Sequence, residues 1–143
     1  MKMKKITTTL TVAAAIALSA CNGSGKQQQQ IVLPDLAQMF LSQNFANAPI
    51  SKVSNDSAAV YEVELSSGTQ LQFNSDGMWM KVQAKQGENV EAKVLPFPAQ
   101  TYLHEIYPEK KIKLVERDIP TGLMRVTLDD GLEIVFSSEG EVI

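Results

Sequence analysis

The stretch YEVELSSGTQLQFNSDGMW, residues 61–79, decides the fold. Apolar and polar side chains alternate over residues 61–65 and again over 70–73, which is the period-two pattern of half-buried strands. Gly68 and Gly77 stand where tight hairpin turns need a positive φ. The stretch therefore predicts an antiparallel meander of short strands with one face against a core.

The same pattern returns later in the chain as MRVTLDDGLEIVFSSEGEV, residues 124–142, a shift of 124 − 61 = 63. Upstream, Leu33-Pro34-x-x-Ala37-Gln38 returns as Leu95-Pro96-x-x-Ala99-Gln100, a shift of 95 − 33 = 62. Two copies at this spacing indicate a duplicated unit rather than a solenoid, which needs several shorter repeats. The expected parts are repeat 1 at 33–82, a connector at 83–94 and repeat 2 at 95–143.

Each unit also predicts a helix, because Pro34 and Pro96 stand at a first helical turn, where a missing N–H costs nothing. Apolar residues follow at spacings of three and four. They are Leu36, Met39 and Phe40 in the first copy, and Ala99, Tyr102, Leu103 and Ile106 in the second. The expected fold class is α+β, with two tandem units, each a helix packed on a roughly four-stranded antiparallel meander sheet. So small a unit is marginal alone, and the two sheets should pack or join into one body.

Residues 1–20 predict a signal peptide, because a lysine-rich start leads into an uncharged run from Ile6 to Leu18 that is too short for a permanent membrane span. Leu18-Ser19-Ala20-Cys21 resembles the lipobox of bacterial lipoproteins, in which the cysteine is lipidated before cleavage in front of it. Cys21 is the only cysteine, so it cannot form an intramolecular disulfide. The alternative is a free, reactive thiol behind an ordinary cleavage site.

Residues 21–31 then predict a polar tether, since this segment is too polar to bury a core. The expected location is the periplasmic side of the cell envelope, with a membrane contacted through lipid on Cys21. Asn22 is not the aspartate associated with inner-membrane retention in some bacteria, which favours the outer membrane.

The charge balance argues against a nucleic-acid partner. Cleavage before Cys21 leaves 143 − 20 = 123 residues with 13 − 3 = 10 basic against 16 acidic side chains, a net charge of −6. Phosphate binding depends on clustered Lys and Arg. The nearest cluster, Lys110-Lys111-Lys113, follows Glu109 and is typical of a solvated strand start.

The order of these motifs carries a resemblance. The motif Leu-Pro-x-x-Ala-Gln-x-aromatic-Leu at residues 33–41 is followed by the segment 61–65, Gly68 and the segment 73–79, and this series is repeated later in the chain. On these motifs the chain resembles the PepSY-like family of secreted bacterial proteins, whose fold is like that of the beta-lactamase inhibitor protein. The resemblance covers 33–143 and implies a PepSY-like domain at 32–143, two tandem helix-plus-four-strand units, an envelope location and no established enzymatic activity. It does not transfer inhibition.

No residue pattern in the chain predicts catalysis, a metal site or a cofactor. His104 is the only histidine, no nucleophile motif accompanies it, and it has no second histidine at metal-protease spacing. Asn74-Ser75-Asp76-Gly77 lacks the spaced acids of a calcium loop, which favours a hairpin turn.

Trp79 is a candidate partner-binding residue, because strict alternation through Met78, Met80 and Val82 places it on the opposite face of its strand, where a lone tryptophan could anchor a partner. The alternative is packing of Trp79 in the core or between the units. In the second unit Val142 stands at its position.

Glu62, Glu64, Gln70 and Gln72 are expected on the solvated face of the sheet, which could also be a docking face. We therefore expect a non-catalytic envelope lipoprotein that binds an envelope protein, as a periplasmic or inhibitor-like module. The alternative is a structural or stress-related envelope lipoprotein without a dedicated ligand. An enzyme is the third hypothesis and would need a deep pocket that joins His104 to acids of the other unit.

Overall fold

The computed structural model describes residues 31–55 and 60–143. The predicted signal peptide, Cys21 and the tether up to Gln30 lie outside the described residues, as do residues 56–59. Within the described ranges, the helices are too short or too polar to cross a membrane.

The described chain forms two α-helices, seven β-strands and a short 3-10 helix. In chain order they are α1 Asp35–Asn44, β1 Ile50–Asn55, β2 Tyr61–Leu65, β3 Gln70–Phe73, β4 Trp79–Gln83, the 3-10 helix Ala92–Val94, α2 Phe97–Ile106, β5 Ile112–Arg117, β6 Met124–Leu128 and β7 Glu133–Phe136. The strands form one sheet in the order β1 to β7, and every neighbouring pair is antiparallel. The prediction of an α+β fold with an antiparallel meander is therefore confirmed.

The two expected sheets are joined edge to edge through β4 and β5. Val82 of β4 lies opposite Val115 of β5, and neither side chain is exposed to solvent. An unpaired strand edge leaves backbone N–H and C=O groups without partners. Joining at β4–β5 removes two such edges, so β1 and β7 are the edge strands of the sheet.

The second half has three strands where about four were expected. Val142, at the position of Trp79, makes only an isolated bridge to Phe136, and the Ile143 N–H donates to the Val135 carbonyl at 3.0 Å. These contacts lie along the outer edge of β7. Some backbone N–H and C=O groups on that edge therefore have hydrogen-bond partners within the chain itself.

Both helices pack on the same face of the sheet. The register aligns Val63, Leu71, Val82, Val115 and Val126 in one buried row across β2 to β6. Aromatic pairs connect the helices to this face: Phe40 meets Phe73 edge to face at 5.8 Å between ring centroids, and Tyr102 meets Phe136 likewise at 5.8 Å. Such pairs add specific geometry to the burial of apolar area.

The recurring Leu-Pro-x-x-Ala-Gln motif starts each helix in the same way. Gln38 Nε2 donates to the Leu33 carbonyl at 2.7 Å, and Gln100 Nε2 donates to the Leu95 carbonyl at 2.7 Å. The glutamine thus satisfies a carbonyl just outside the helix, which would otherwise be buried without a partner. Each helix begins directly after the proline of the motif.

The glycine turns that follow β3 and β7 lie against the first turns of the helices. Gly77 has φ 92° and Gly140 has φ 95°, as the turn pattern predicted. A Cβ on Gly77 would lie 2.8 Å from the Ala37 nitrogen, and a Cβ on Gly140 would lie 3.0 Å from the Ala99 nitrogen. Only glycine fits these two positions.

The predicted buried side of the helices was partly wrong. Leu36, Met39 and Ile106 are 49%, 52% and 52% exposed. In α1 the buried residues are Ala37 and Leu41, where Leu36 and Met39 were expected, whereas in α2 the expected Ala99 and Leu103 are buried. The glycine turns approach the backbone nitrogens of Ala37 and Ala99, and the side chains of these two alanines are fully buried.

We expect Gly77→Ala to lower the free energy of unfolding by about 2–5 kcal/mol, because it adds left-handed strain of about 1–2 kcal/mol and an overpacking cost of about 1–3 kcal/mol. Gly87→Ala is the matched control, since Gly87 has φ 89° but no atom within 4 Å of its Cβ position. Its free energy of unfolding should fall only by the cost of the left-handed strain. Urea unfolding of both variants measures the difference, and equal losses would contradict the role assigned to the contact.

Candidate functional site

The face of the sheet opposite the helices is polar and forms a shallow depression over β1 to β4. We call it the open sheet face. It consists of Lys52, Ser54, Glu62, Glu64, Gln70, Gln72 and Lys81, which line the depression together with Val63 and Leu71. Since the side chains of Val63 and Leu71 are buried on the helix side, they contribute their backbone to its floor.

The strand register sets the order of these groups. Ser54, Glu62, Gln72 and Lys81 form one row across the four strands, and Lys52, Glu64 and Gln70 form the next row. The structure thus brings together Glu62, Glu64, Gln70 and Gln72, the four residues that the sequence had placed on this face.

Lys52, Ser54 and Lys81 complete the face and were not predicted. The alternation of β1 is obscured by polar residues on both of its sides, so only the pairing between strands places Lys52 and Ser54. Lys81 lies next to the buried Val82, and plain alternation is sufficient to put it on this face.

The centre of the open sheet face is acidic and its margins are basic. Glu62 and Glu64 project from the same side of β2, two residues apart, or about 7 Å along the strand. Among the described residues, neither makes an ion pair within 4.0 Å. Gln72 Nε2 donates to Glu62 Oε2 at 3.3 Å, while Lys52 and Lys81 stand on the flanking strands.

On the same face of the second half, the charged side chains form ion pairs with one another. Arg125 Nη1 lies 3.9 Å from Glu116 Oε1, and Arg125 Nε lies 3.8 Å from Glu133 Oε1. Uncompensated carboxylates therefore belong to the first half of this face.

Trp79 is buried, at 8% exposed, and does not lie on the open sheet face. Phe73 pairs with Trp79 while Gln72 pairs with Lys81, so Met80 is the extra residue of a β-bulge. The strict alternation that placed Trp79 on the outer side was therefore wrong. The bulge turns the indole onto the helix side, and its position is the core packing that was the alternative.

Two groups hold the indole of Trp79. Phe40 of α1 stacks on it at 5.6 Å between ring centroids, and Arg117 Cζ lies 4.7 Å from the ring centroid. Arg117 Nε also donates to the Trp79 carbonyl at 3.1 Å. Partial burial lowers the pKa of Arg117, yet an arginine stays protonated at physiological pH, so the cation–π contact persists.

His104 lies on the exposed surface of α2, in the last turn. The depression beside it is lined by residues without a carboxylate, among them Gln100, Tyr107, Lys110 and Lys111. Over residues 31–55 and 60–143, no group of three or more His, Cys, Asp or Glu is placed to hold a metal ion. Within the described ranges, no carboxylate lines the depression beside His104.

A short surface ion pair lies near this depression. Lys110 Nζ lies 2.7 Å from Asp130 Oδ2. The hydrogen bond from Lys110 lowers the pKa of Asp130 and raises the pKa of Lys110. Both side chains are about two-fifths exposed, so this pair contributes little to stability.

The family model described as "Putative beta-lactamase-inhibitor-like, PepSY-like" matches residues 25–72 and 59–143. The chain belongs to this family. Among curated proteins, none matches the sequence.

Several solved structures of bacterial proteins are similar to this chain. A "putative calcium-regulated periplasmic protein" from Bacteroides thetaiotaomicron is 29% identical, with a TM-score of 0.65, over 78% of this chain and 87% of that one. A "putative periplasmic protein from DUF2874 family" from Bacteroides vulgatus is 31% identical, with a TM-score of 0.63, over 78% and 87% of the two chains. A periplasmic protein of unknown function from the same species is 27% identical, with a TM-score of 0.64, over 78% and 89%.

We expect Arg117→Lys to lower the free energy of unfolding by about 0.5–2 kcal/mol, because it weakens the contact with the Trp79 ring and removes the Nε hydrogen bond. The fluorescence of Trp79, the only tryptophan, reports both unfolding and access of acrylamide to the ring. Arg125→Lys is the control, since Arg125 is exposed and its change should stay within about 0.5 kcal/mol. Indistinguishable stability and quenching in the two variants would contradict the role of Arg117 in holding the Trp79 ring.

Proposed function

We propose that this protein is a non-catalytic lipoprotein of the bacterial cell envelope that binds another envelope protein through its open sheet face. The proposal combines an anchor at Cys21, a rigid sheet that presents polar groups, and surroundings of His104 that supply no catalytic partner.

The uncompensated carboxylates of Glu62 and Glu64 carry the proposal. Like charges placed side by side disfavour the free protein slightly. Lys52, opposite Glu64 in the register, moderates this repulsion but, among the described residues, forms no ion pair within 4.0 Å. A partner that brings Lys or Arg side chains to the centre of the face would relieve this repulsion. The basic margins at Lys52 and Lys81 would in turn meet acidic groups, which favours one orientation of the partner.

The rigid base under the face supports recognition. Each strand below it is hydrogen-bonded on both sides except β1, and the opposite side is filled by the helices. A face of this kind loses little conformational freedom on binding, which is an advantage for a polar interface of modest affinity.

We further propose that the chain consists of two tandem units, each a helix followed by a meander, at 33–82 and 95–143. The shared helix starts and glycine turns support this division. The halves differ where the open sheet face is concerned, because only the first leaves its carboxylates unpaired. Binding is accordingly assigned to the first unit.

The periplasmic names of the Bacteroides relatives and the lipobox-like sequence before Cys21 support an envelope location with a lipid anchor, in the outer rather than the inner membrane. Two or three acyl chains hold a protein stably at a bilayer, whereas one does so only marginally.

We expect Cys21→Ser to release the protein from the membrane fraction of cells into the soluble envelope fraction, because the lipid cannot be attached. Labelling with a radioactive or clickable fatty acid should mark the native protein and not the variant. Persistent membrane association of an unlabelled Cys21→Ser protein would contradict the anchor.

We expect a photo-crosslinking amino acid at Gln70 to give a discrete adduct in intact cells, since Gln70 is exposed on the open sheet face. Gln43, exposed on α1 at the opposite side of the sheet, is the matched control and should give none.

Charge reversal tests whether that adduct depends on the proposed centre. Glu62→Lys with Glu64→Lys should abolish it, while Glu88→Lys with Glu91→Lys, placed in the connector, should leave it intact. Surface changes of this kind alter stability by about 0.5 kcal/mol or less, so loss of the fold is not the expected cause. An adduct that survives reversal, or the absence of any adduct from this face, would favour the structural role without a dedicated ligand.

A further inference from the structure

The polypeptide enters the folded unit at one particular end of the sheet. Leu33 precedes α1, and the first turn of α1 lies against Gly77 in the turn after β3. The first turn of α2 lies against Gly140, in the turn after β7. This end, which we call the helix-entry end, consists of residues 33–36, 74–78, 95–98, 118–123 and 137–141.

The helix-entry end exposes several large apolar side chains. Phe97 is 76% exposed and Leu36 is 49% exposed, both in first helical turns, and Leu123 in the β5–β6 loop is 37% exposed. By the helix shift of 62, Phe97 stands at the position of Asp35 and Leu36 at that of Pro98, so the two exposed side chains lie at neighbouring rather than corresponding positions of the first turns.

The charge of this end is entirely of one sign. Its acidic side chains are Asp35, Asp76, Asp118, Glu139 and Glu141, and all are exposed. The ranges that define it contain no Lys, Arg or His. The opposite end of the sheet, at 66–69, 84–89, 106–111 and 128–132, mixes Lys85, Lys110 and Lys111 with acids.

The distance from this end to the anchor is limited by the chain itself. Leu33 follows Cys21 by 33 − 21 = 12 residues, and twelve residues span at most about 43 Å. A lipidated Cys21 would therefore keep Leu33, in the helix-entry end, within that distance of the bilayer. Such tethering gives a weak contact a high effective concentration.

We infer that the helix-entry end rests on the membrane, with Phe97, Leu36 and Leu123 in the interfacial region of zwitterionic lipids. The inference deepens the proposed function and rests on its lipid anchor. The acidic ring around these side chains repels an anionic surface over a Debye length of about 8–10 Å, so the surface it fits is a neutral one. Contact at this end leaves the open sheet face, which runs along the sheet, accessible from the side.

The chain offers two matched pairs of probe positions. Phe97 and Ile106 are the first and last residues of α2, both exposed, and lie about 13 Å apart along the helix axis. Leu123 and Leu132, at 37% and 39% exposed, lie in loops at opposite ends of β6. Lipid on Cys21 blocks the only native thiol, so an added cysteine can be labelled alone.

The test uses the full lipidated protein in phosphatidylcholine vesicles that contain nitroxide-labelled lipid. The variants Phe97→Cys, Ile106→Cys, Leu123→Cys and Leu132→Cys each carry an environment-sensitive fluorophore. We expect the labels of Phe97→Cys and Leu123→Cys to be quenched about twofold more than those of Ile106→Cys and Leu132→Cys, with a blue-shifted emission. Replacing about one third of the lipid with phosphatidylglycerol should reduce that difference at low salt, and high salt should restore it.

Equal quenching within both pairs, in protein that floats with the vesicles, would overturn the inference and leave the lipid anchor intact. Failure to float at all would overturn the anchor and this inference with it. A far-UV spectrum unchanged among the variants confirms that the exposed substitutions leave the fold in place.

Discussion

The close approach of a glycine turn to the start of each helix is the constraint on which the rest of the structure depends. At Gly77 and Gly140 the backbone of the turn comes so near to the helix that a single added carbon would collide with the nitrogen of Ala37 or Ala99. Ala37 and Ala99 are fully buried at these contacts. The same helices place Phe40 over Phe73 and Tyr102 over Phe136.

The continuous sheet divides the molecule into sides with different tasks. Because β4 pairs with β5, the helices of both halves cover one face and leave the other face open. The bulge at Met80 reinforces this division, since it brings Trp79 to the covered side, where Phe40 and Arg117 enclose it. The large aromatic group thus stabilises the core, and the open sheet face over β1 to β4 presents carboxylates, amides, lysines and the Ser54 hydroxyl.

The proposed contacts of the molecule use separate surfaces. The helix-entry end, apolar and acidic, is the surface proposed to meet lipid, while the open sheet face is the surface proposed to meet a partner protein. A protein held in this way could rest on lipid and bind a partner at once, because neither surface covers the other. The halves differ in their charges, with ion pairs around Arg125 in the second and, among the described residues, none at Glu62 and Glu64 in the first, and this difference supports the proposal that the first half binds the partner.

The sequence by itself determined the local structure: the strands of period two, the turns at Gly68, Gly77, Gly131 and Gly140, the helix starts, and the solvated side of β2 and β3. These features depend on neighbours a few residues apart, so their residue types are sufficient to predict them. Only the tertiary structure decided that the sheets join at β4–β5, that Trp79 is buried, and that Lys52 and Ser54 complete the face. Each of these depends on pairing between distant strands, where one inserted residue reverses the side to which a chain points.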